Sequence, residues 1–363
     1  MPYPELSLSA DSQFYDMFKD SYPQVLQKTP PLTNLAQKYT RNIFAKLLAD
    51  GSRHYPVAGR SIEWPVLVDY GSGVRFVHWA AEDAVSFEDN VRIATEKVVH
   101  GTWNVAWFRQ EMLTGINQGV GKAGKAQKLF DLMRSRMIQR QQGVLADMED
   151  RMWSGPSTTA EAERYPKSVP FWIQKCASGT DQGFVGGNPS GFSSGRGMID
   201  SDTYTNFKNY AGLYDEITDD DLIEKMRLME MEIRFEKPEA IVDDDGALET
   251  PDPVYYTTKN VILGVSKVMR QNLENITDAA GPDPLFKRKS MMHVPALDSD
   301  SSDPIYAIET RDLKLAYQVG DFLHVTGPDS LERQHNGFVQ HWDLSWQLLV
   351  SNPRLHGVLS KDN

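Results

Sequence analysis

The run Gly119-Val120-Gly121-Lys122-Ala123-Gly124-Lys125-Ala126 carries the residue types of a phosphate cradle. Gly119, Gly124 and Lys125 stand at P-loop spacing, and Gly119, Gly121 and Gly124 at the spacing of a dinucleotide fingerprint. A P-loop also needs a hydroxyl after its lysine to hold Mg²⁺, and a buried strand just before the loop. Ala126 stands in the hydroxyl position, and Glu111 to Gln118 contains no β-branched apolar run. Ala240-Ile241-Val242-Asp243 is a weak stand-in for the strand that would bring the second carboxylate. The expectation is spacing without function: no ATP binding at micromolar affinity.

Other reactive side chains fare no better. Asp298, Asp300 and Asp303 suggest Ca²⁺, but an EF-hand loop needs Gly at its sixth position and Glu at its twelfth. Neither falls in place, so a solvated turn is expected there, and another at Asp243-Asp244-Asp245-Gly246. His335 and His341 are six apart, which fits neither one helical face nor a tight zinc loop. No Gly-x-Ser-x-Gly elbow singles out a nucleophile. No carboxylate pair stands out for glycoside hydrolysis. The sequence therefore nominates no catalytic, cofactor-binding or metal-binding residue.

The elements around these residues are more informative. Ser61 to Asp69 alternates, with Ile62, Trp64, Val66 and Val68 on one face. Tyr70-Gly71-Ser72-Gly73 reads as a turn. Val74, Phe76 and His78, alternating with Arg75, Val77 and Trp79, read as the returning strand. A lone hairpin is marginal in water, so this arm is expected to pack on something outside its own domain. A helix is predicted from Lys125 to Trp153, stopped by Gly155-Pro156. Its apolar positions are Leu129, Leu132, Met133, Met137, Val144, Leu145, Met148 and Met152. Arg134, Arg136, Arg140, Gln141 and Gln142 form the other face, either solvated or a subunit contact.

Residues 1 to about 50 read as an arm broken by Pro2, Pro4, Pro23, Pro30 and Pro31, with aromatic anchors at Phe14, Tyr15, Phe18 and Tyr22. Gly179 to Gly197 reads as a long loop. From Asp202 to Pro328 helices and strands alternate, which indicates an α+β domain. Thr218-Asp219-Asp220-Asp221 is a helix start, followed by Leu222, Met226, Met229 and Ile233. Val254 to Tyr256, Ile305 to Ile308, Leu313 to Tyr317 and Phe322 to Val325 read as strands, and Thr258 to Asn275 as a helix.

The chain has 363 residues, enough for two domains or one elaborated domain. Lys plus Arg is 38 and Asp plus Glu is 50, a net charge of −12. That balance argues against a protein whose main work is gripping phosphates. Cys176 is the single cysteine, so no intrachain disulfide or cysteine metal cage forms, and a reducing place of synthesis is expected. Met1 to Leu6 lacks the basic-then-apolar order of a signal peptide. No run of about 18 apolar residues is present to span a membrane.

The order of these parts resembles a known family. A hairpin arm is followed by a strand with Trp103 and Trp107, and by Phe108-Arg109-Gln110-Glu111-Met112-Leu113. A glycine-containing loop then leads into a long helix ending in Trp153-Ser154-Gly155. Near the C-terminus stand Val294-Pro295-Ala296-Leu297, Pro304-Ile305-Tyr306-Ala307-Ile308 and Leu313-Lys314-Leu315. Leu344-Ser345-Trp346-Gln347-Leu348-Leu349-Val350 and Asn352-Pro353-Arg354-Leu355-His356-Gly357 close the chain. From about Thr40 onward this resembles a tailed-phage major capsid protein with the Hong Kong 97-like fold.

The resemblance implies an N-terminal arm (1–52), an extended hairpin or E-loop (53–90) and a peripheral domain (91–200) with spine helix 125–153. An axial domain (201–335) and a return strand to the peripheral domain (336–363) complete it. It implies hexamers and pentamers of an icosahedral head that encloses double-stranded DNA without sequence-specific binding, with no enzyme activity, cofactor or membrane. The implied location is the virion, assembled in the host cytoplasm, with a portal and a decoration protein as partners. Starting at Met1 and reaching the hairpin by Gly59 leaves no room for a fused scaffold domain, so a separate scaffolding protein is expected. Some relatives crosslink through a lysine on the hairpin, but Gly59 to Phe87 contains none, so that route is disfavoured. Phe14, Tyr15, Phe18, Trp64, Arg75, Trp79, Arg136 and Arg140 are the expected assembly contacts. The nearest variant reading is an encapsulin-type cargo shell. The reading from another class is an acidic α+β hydrolase.

Overall fold

The computed structural model describes residues 43–69, 89–108, 122–234, 253–272, 285–286, 289–330 and 337–362. Strands β1 His54–Val57, β2 Ser61–Leu67, β3 Val91–Lys97 and β4 Val99–Phe108 come first. The helix Lys122–Trp153 follows, then β5 Gly183–Gly186, β6 Asn209–Tyr214 and the helix Glu224–Glu232. After β7 Pro253–Thr257 and the helix Lys259–Asn272 come β8 Leu285–Phe286, β9 Lys289–His293 and β10 Ile305–Glu309. β11 Leu313–Ser330, β12 Gly337–Val350 and β13 Gly357–Lys361 end the chain. The chain forms two compact units: 1–60 with 98–151 and 315–347, and 61–97 with 152–314 and 348–363.

The first unit is built on a sheet of order β1-β11-β12-β4. β4 alternates strictly: Val99 and Val105 are buried, while His100, Thr102, Asn104 and Ala106 are exposed. Its antiparallel register against β12 sets Trp103 opposite Trp342. The two indoles stack with ring centroids 5.7 Å apart, a cross-strand pair of the kind that fixes register. The long helix has 32 residues, roughly 48 Å at 1.5 Å per residue. It begins three residues before the expected Lys125 and stops at the expected Trp153.

The buried face of that helix is Ile138, Gln141, Leu145, Glu149 and Met152, spaced by three and four residues. This corrects the expected polar face: Gln141 is buried, while Arg140 is exposed and Met137, Val144 and Met148 are half-buried. Buried Glu149 has a partner. Its Oε2 accepts the Phe44 N–H at 2.8 Å, at the first turn of the helix Ile43–Ala49, where a carboxylate also suits the dipole. Phe44 packs edge-on against Trp346 at 4.9 Å, and Leu47 is buried. The expected arm (1–52) therefore ends in core residues.

The second unit carries a seven-stranded mixed sheet of order β5-β6-β13-β10-β7-β9-β8. β10 lies at its centre, antiparallel to β13 and to β7, and every one of its residues is buried. A strand covered on both faces reads as a continuous apolar run, which is why Ile305 to Ile308 was legible. Tyr210, Tyr214, Leu222, Met226, Met229, Tyr255, Val261 and Leu359 belong to the core over this sheet. The long helix ends in this unit: Trp153 packs on Tyr256 and Tyr306 at 5.7 and 5.8 Å.

Two local expectations change. Thr218 has the extended backbone of an N-cap but makes no side-chain cap bond. Asp221 instead accepts the N–H groups of Asp215 and Glu216, both at 2.7 Å. The acidic stretch Asp298 to Asp303 is not a solvated turn. Asp298 accepts the N–H of Lys259 at 3.0 Å, capping the first turn of the helix Lys259–Asn272, and Asp303 accepts from the Thr258 hydroxyl at 2.8 Å. β11 and β12 share the first unit's sheet, and β13 joins the second's.

Candidate assembly surface

β2 and β3 form a two-stranded antiparallel ribbon, with Trp64 opposite Ala94 and Leu67 opposite Val91. The expected return strand at Val74 to Trp79 lies outside the described residues, and the partner observed for Ser61–Leu67 is Val91–Lys97. One ribbon face is sealed within its own unit: Ile62, Trp64, Val68 and Ala94 are buried. Trp64 approaches Trp172, with ring centroids 6.2 Å apart. The opposite face leaves Leu67, Val91 and Ile93 58%, 48% and 65% exposed.

Polar contacts pin the root of the ribbon. Thr95 N–H donates to Gly197 O at 2.9 Å, and Gly197 N–H donates to Glu96 Oε1 at 3.1 Å. Arg92 Nε donates to the Tyr204 hydroxyl at 2.8 Å, and Asn206 Nδ2 to Val68 O at 3.1 Å. Burial pushes the Glu96 carboxyl above its ordinary range, opposed by the Lys167 charge. Burial likewise lowers the Lys167 ammonium, opposed by Glu96. Lys167 Nζ lies over the rings of Phe171 and Phe192, 4.3 and 4.7 Å from their centroids.

The glycine-rich segment that the sequence marks as a loop is organised by Arg196, whose side chain is fully buried. Its guanidinium donates to Trp172 O, to Asn209 Oδ1 at 3.0 Å, to Gly186 O at 3.0 Å and to Phe207 O at 2.8 Å. Burial brings its pKa down to about 9. Asp200 accepts from Thr203 Oγ1 at 2.7 Å, Asn188 Nδ2 at 2.6 Å and Asp202 N at 3.0 Å. These bonds hold its carboxyl down at about 2. Gly195 has φ +76, and a Cβ there would collide with the Ile199 backbone.

A serine, a histidine and two aspartates do meet, in the first unit. His100 Nδ1 lies 3.0 Å from both Asp321 Oδ2 and Ser345 Oγ, and its Nε2 lies 3.7 Å from Asp343 Oδ1. This is not the geometry of an activated serine. Ser345 gives its own proton to Asp321 and is buried. One ring nitrogen faces both the serine and an aspartate, whereas a triad uses the two nitrogens separately.

Among the described residues no group of three metal-ligating side chains converges, and no helix is long and apolar enough to cross a membrane. Lys122 to Ala126 are helical, so the second half of the P-loop-like run is helix rather than loop. Phe14, Tyr15, Phe18, Arg75 and Trp79 lie outside the described residues. Arg136 donates to Ala106 O at 3.0 Å, at the edge of β4, and Arg140 is exposed. Trp64, expected as an assembly contact, is buried within its own unit beside Trp172. Sequence reasoning missed Arg196, Glu96 and Lys167, since a lone polar residue in a glycine-rich or strand segment carries no periodic signal of burial.

A two-stranded ribbon and a seven-stranded sheet in the second unit, and a long helix with a four-stranded sheet in the first, define an α+β architecture. No family model matches the chain, and no curated protein matches it in sequence. Solved structures do match. The capsid asymmetric unit of cyanophage A-1(L) is similar with TM-score 0.59 at 13% identity, over 93% of this chain and 98% of that one. The capsid of an empty GTA particle is similar with TM-score 0.51 at 11% identity, over 96% and 98%. The capsid of a native GTA particle is similar with TM-score 0.50 at 12% identity, over 93% and 96%. The chain thus has the fold of tailed-phage capsid proteins, the Hong Kong 97-like fold.

Proposed function

We propose that the chain is a structural major capsid protein, copies of which close into the hexamers and pentamers of an icosahedral phage head around double-stranded DNA. The observation that carries this reading is likeness to capsid subunits over 93% of this chain and 98% of the other. No chemical step is needed. Assembly is driven by apolar surface that the single chain leaves in water, foremost the outer ribbon face with Leu67, Val91 and Ile93. Arg140 is the better placed of the two helix arginines for a contact between copies, because Arg136 already bonds β4. A net charge of −12 suits an enclosure that repels packaged DNA. A separate scaffolding protein, a portal and a decoration protein are the partners this reading brings, with assembly in the host cytoplasm.

Sedimentation velocity on the purified chain tests the reading. Material sedimenting as rings or closed shells, without hydrolase activity on ester or peptide substrates, is the expected result. A monomer that turns over such a substrate would establish the enzyme instead.

A further inference from the structure

We propose that the core beneath the ribbon binds a small monovalent anion of chloride size, held between the Arg196 guanidinium and the Trp64 indole. Both side chains are buried, and each keeps one N–H without an acceptor among the described residues, Arg196 at Nε and Trp64 at Nε1. Both groups are donors only, so they do not satisfy each other. Buried donors are nearly always paired, and one that lacks a protein partner calls for an acceptor from elsewhere. The two stand in one neighbourhood. Gly197, next to Arg196, brings its backbone against the Trp64 ring: a Cβ there would lie 3.2 Å from Cη2 and 3.3 Å from Cζ2, on the Nε1 side of the indole. Trp172 adjoins both, with its ring 6.2 Å from that of Trp64 and its C=O accepting from Arg196.

Charge decides for an anion over a water molecule. The acceptors that Arg196 does have are Trp172 O, Asn209 Oδ1, Gly186 O and Phe207 O, all neutral. Among the described residues no carboxylate pairs with it, and burial lowers its pKa with no acid pulling it back. A buried charge without a counter-charge is costly. A second cation, Lys167, lies over Phe171 and Phe192, and Phe171 packs on Trp172. Its acidic neighbour Glu96 is itself pushed by burial toward the neutral form. The region therefore carries positive charge that water does not offset. A monovalent anion offsets it and turns the Arg196 N–H into a charge-assisted bond. A tetrahedral oxyanion asks for more donors than these two. Bound there, the anion ties β2, through Trp64, to the segment that Arg196 organises.

The test is thermal melting of the full chain in sodium bromide against sodium gluconate at one ionic strength, so that screening is equal. Bromide replaces chloride in such a site, and gluconate is too large to enter. A melting temperature about 2–4 °C higher in bromide is expected, levelling off as bromide saturates the site. Trp64→Phe keeps a ring and removes the N–H, and is expected to lose most of that difference. Equal melting in the two salts would overturn the proposal, and so would a Trp64→Phe chain that keeps the full bromide effect. Crystals of the wild-type chain grown in bromide give a readout without a variant. An anomalous peak at hydrogen-bond distance from both Arg196 Nε and Trp64 Nε1 is expected. No peak there, or density that fits water only, would overturn the proposal. None of these outcomes bears on the capsid reading, which turns on assembly.

Discussion

Trp64 shows what a strand pattern contains and what it omits. Alternation along Ser61 to Asp69 placed Ile62, Trp64 and Val68 on one face, and those residues do share a buried face. Alternation does not say what covers that face, and the cover is Trp172 and Gly197 of the same unit. Trp64→Asp is therefore expected to destabilise the isolated subunit by about 3–5 kcal/mol, as for a buried aromatic lost from a core, measured by urea unfolding; an unchanged midpoint would restore Trp64 as an assembly contact. Gln141 and Glu149 were missed for the converse reason. Hydrophobic periodicity counts apolar residues only, although their spacing from Leu145 already placed both on its face. Two acids give opposite pH signatures. The Asp200 carboxyl, at about 2 when folded against an ordinary 3.8, contributes stability that is present above the ordinary value and lost as pH falls toward 2. Glu96 is raised by burial, so its contribution is full below its ordinary 4.5 and declines as pH rises through the folded value. Melting curves should show Asp200→Asn weakening the acid-side loss and Glu96→Gln flattening the decline above pH 4.5.

At the scale of elements, the sequence located the long helix to within three residues, because glycine and proline end it and its length is unusual for a globular helix. It divided β11 between Gln318 and Asp321, where polar and glycine residues break the apolar run. The strand continues through them, using left-handed Gly320 and Leu323 at φ +89 and +56. That is a bulge-like irregularity no alternation rule anticipates. The helix Ile43–Ala49 changes what truncation should do. Deleting residues 1–30 is expected to move the melting temperature of the unassembled subunit by under about 1 °C while weakening the particle. Deleting through Ala49 removes Phe44 and Leu47, each worth about 1.5–3 kcal/mol of burial, and is expected to lower it by several degrees. Calorimetry on both truncations checks this; equal effects would make the whole segment one element.

At the scale of the molecule, the α+β class was legible from alternating helices and strands, but the strand order was not. Each unit is assembled from three separate stretches of chain, and β12 pairs with β4, and β11 with β1, across more than two hundred residues. Such pairings are set by tertiary packing, not by any local signal. No active site was legible, and the Ser-His-Asp meeting at His100 arises from three strands whose order the sequence does not reveal. The central claim is self-association into a closed shell. Electron cryomicroscopy of the purified chain, at low and at high protein concentration, measures it most directly. The expected result is icosahedral particles with six-fold and five-fold capsomers, in which the β2–β3 ribbon lies against a neighbouring copy. Uniform monomers or small oligomers under both conditions would contradict it.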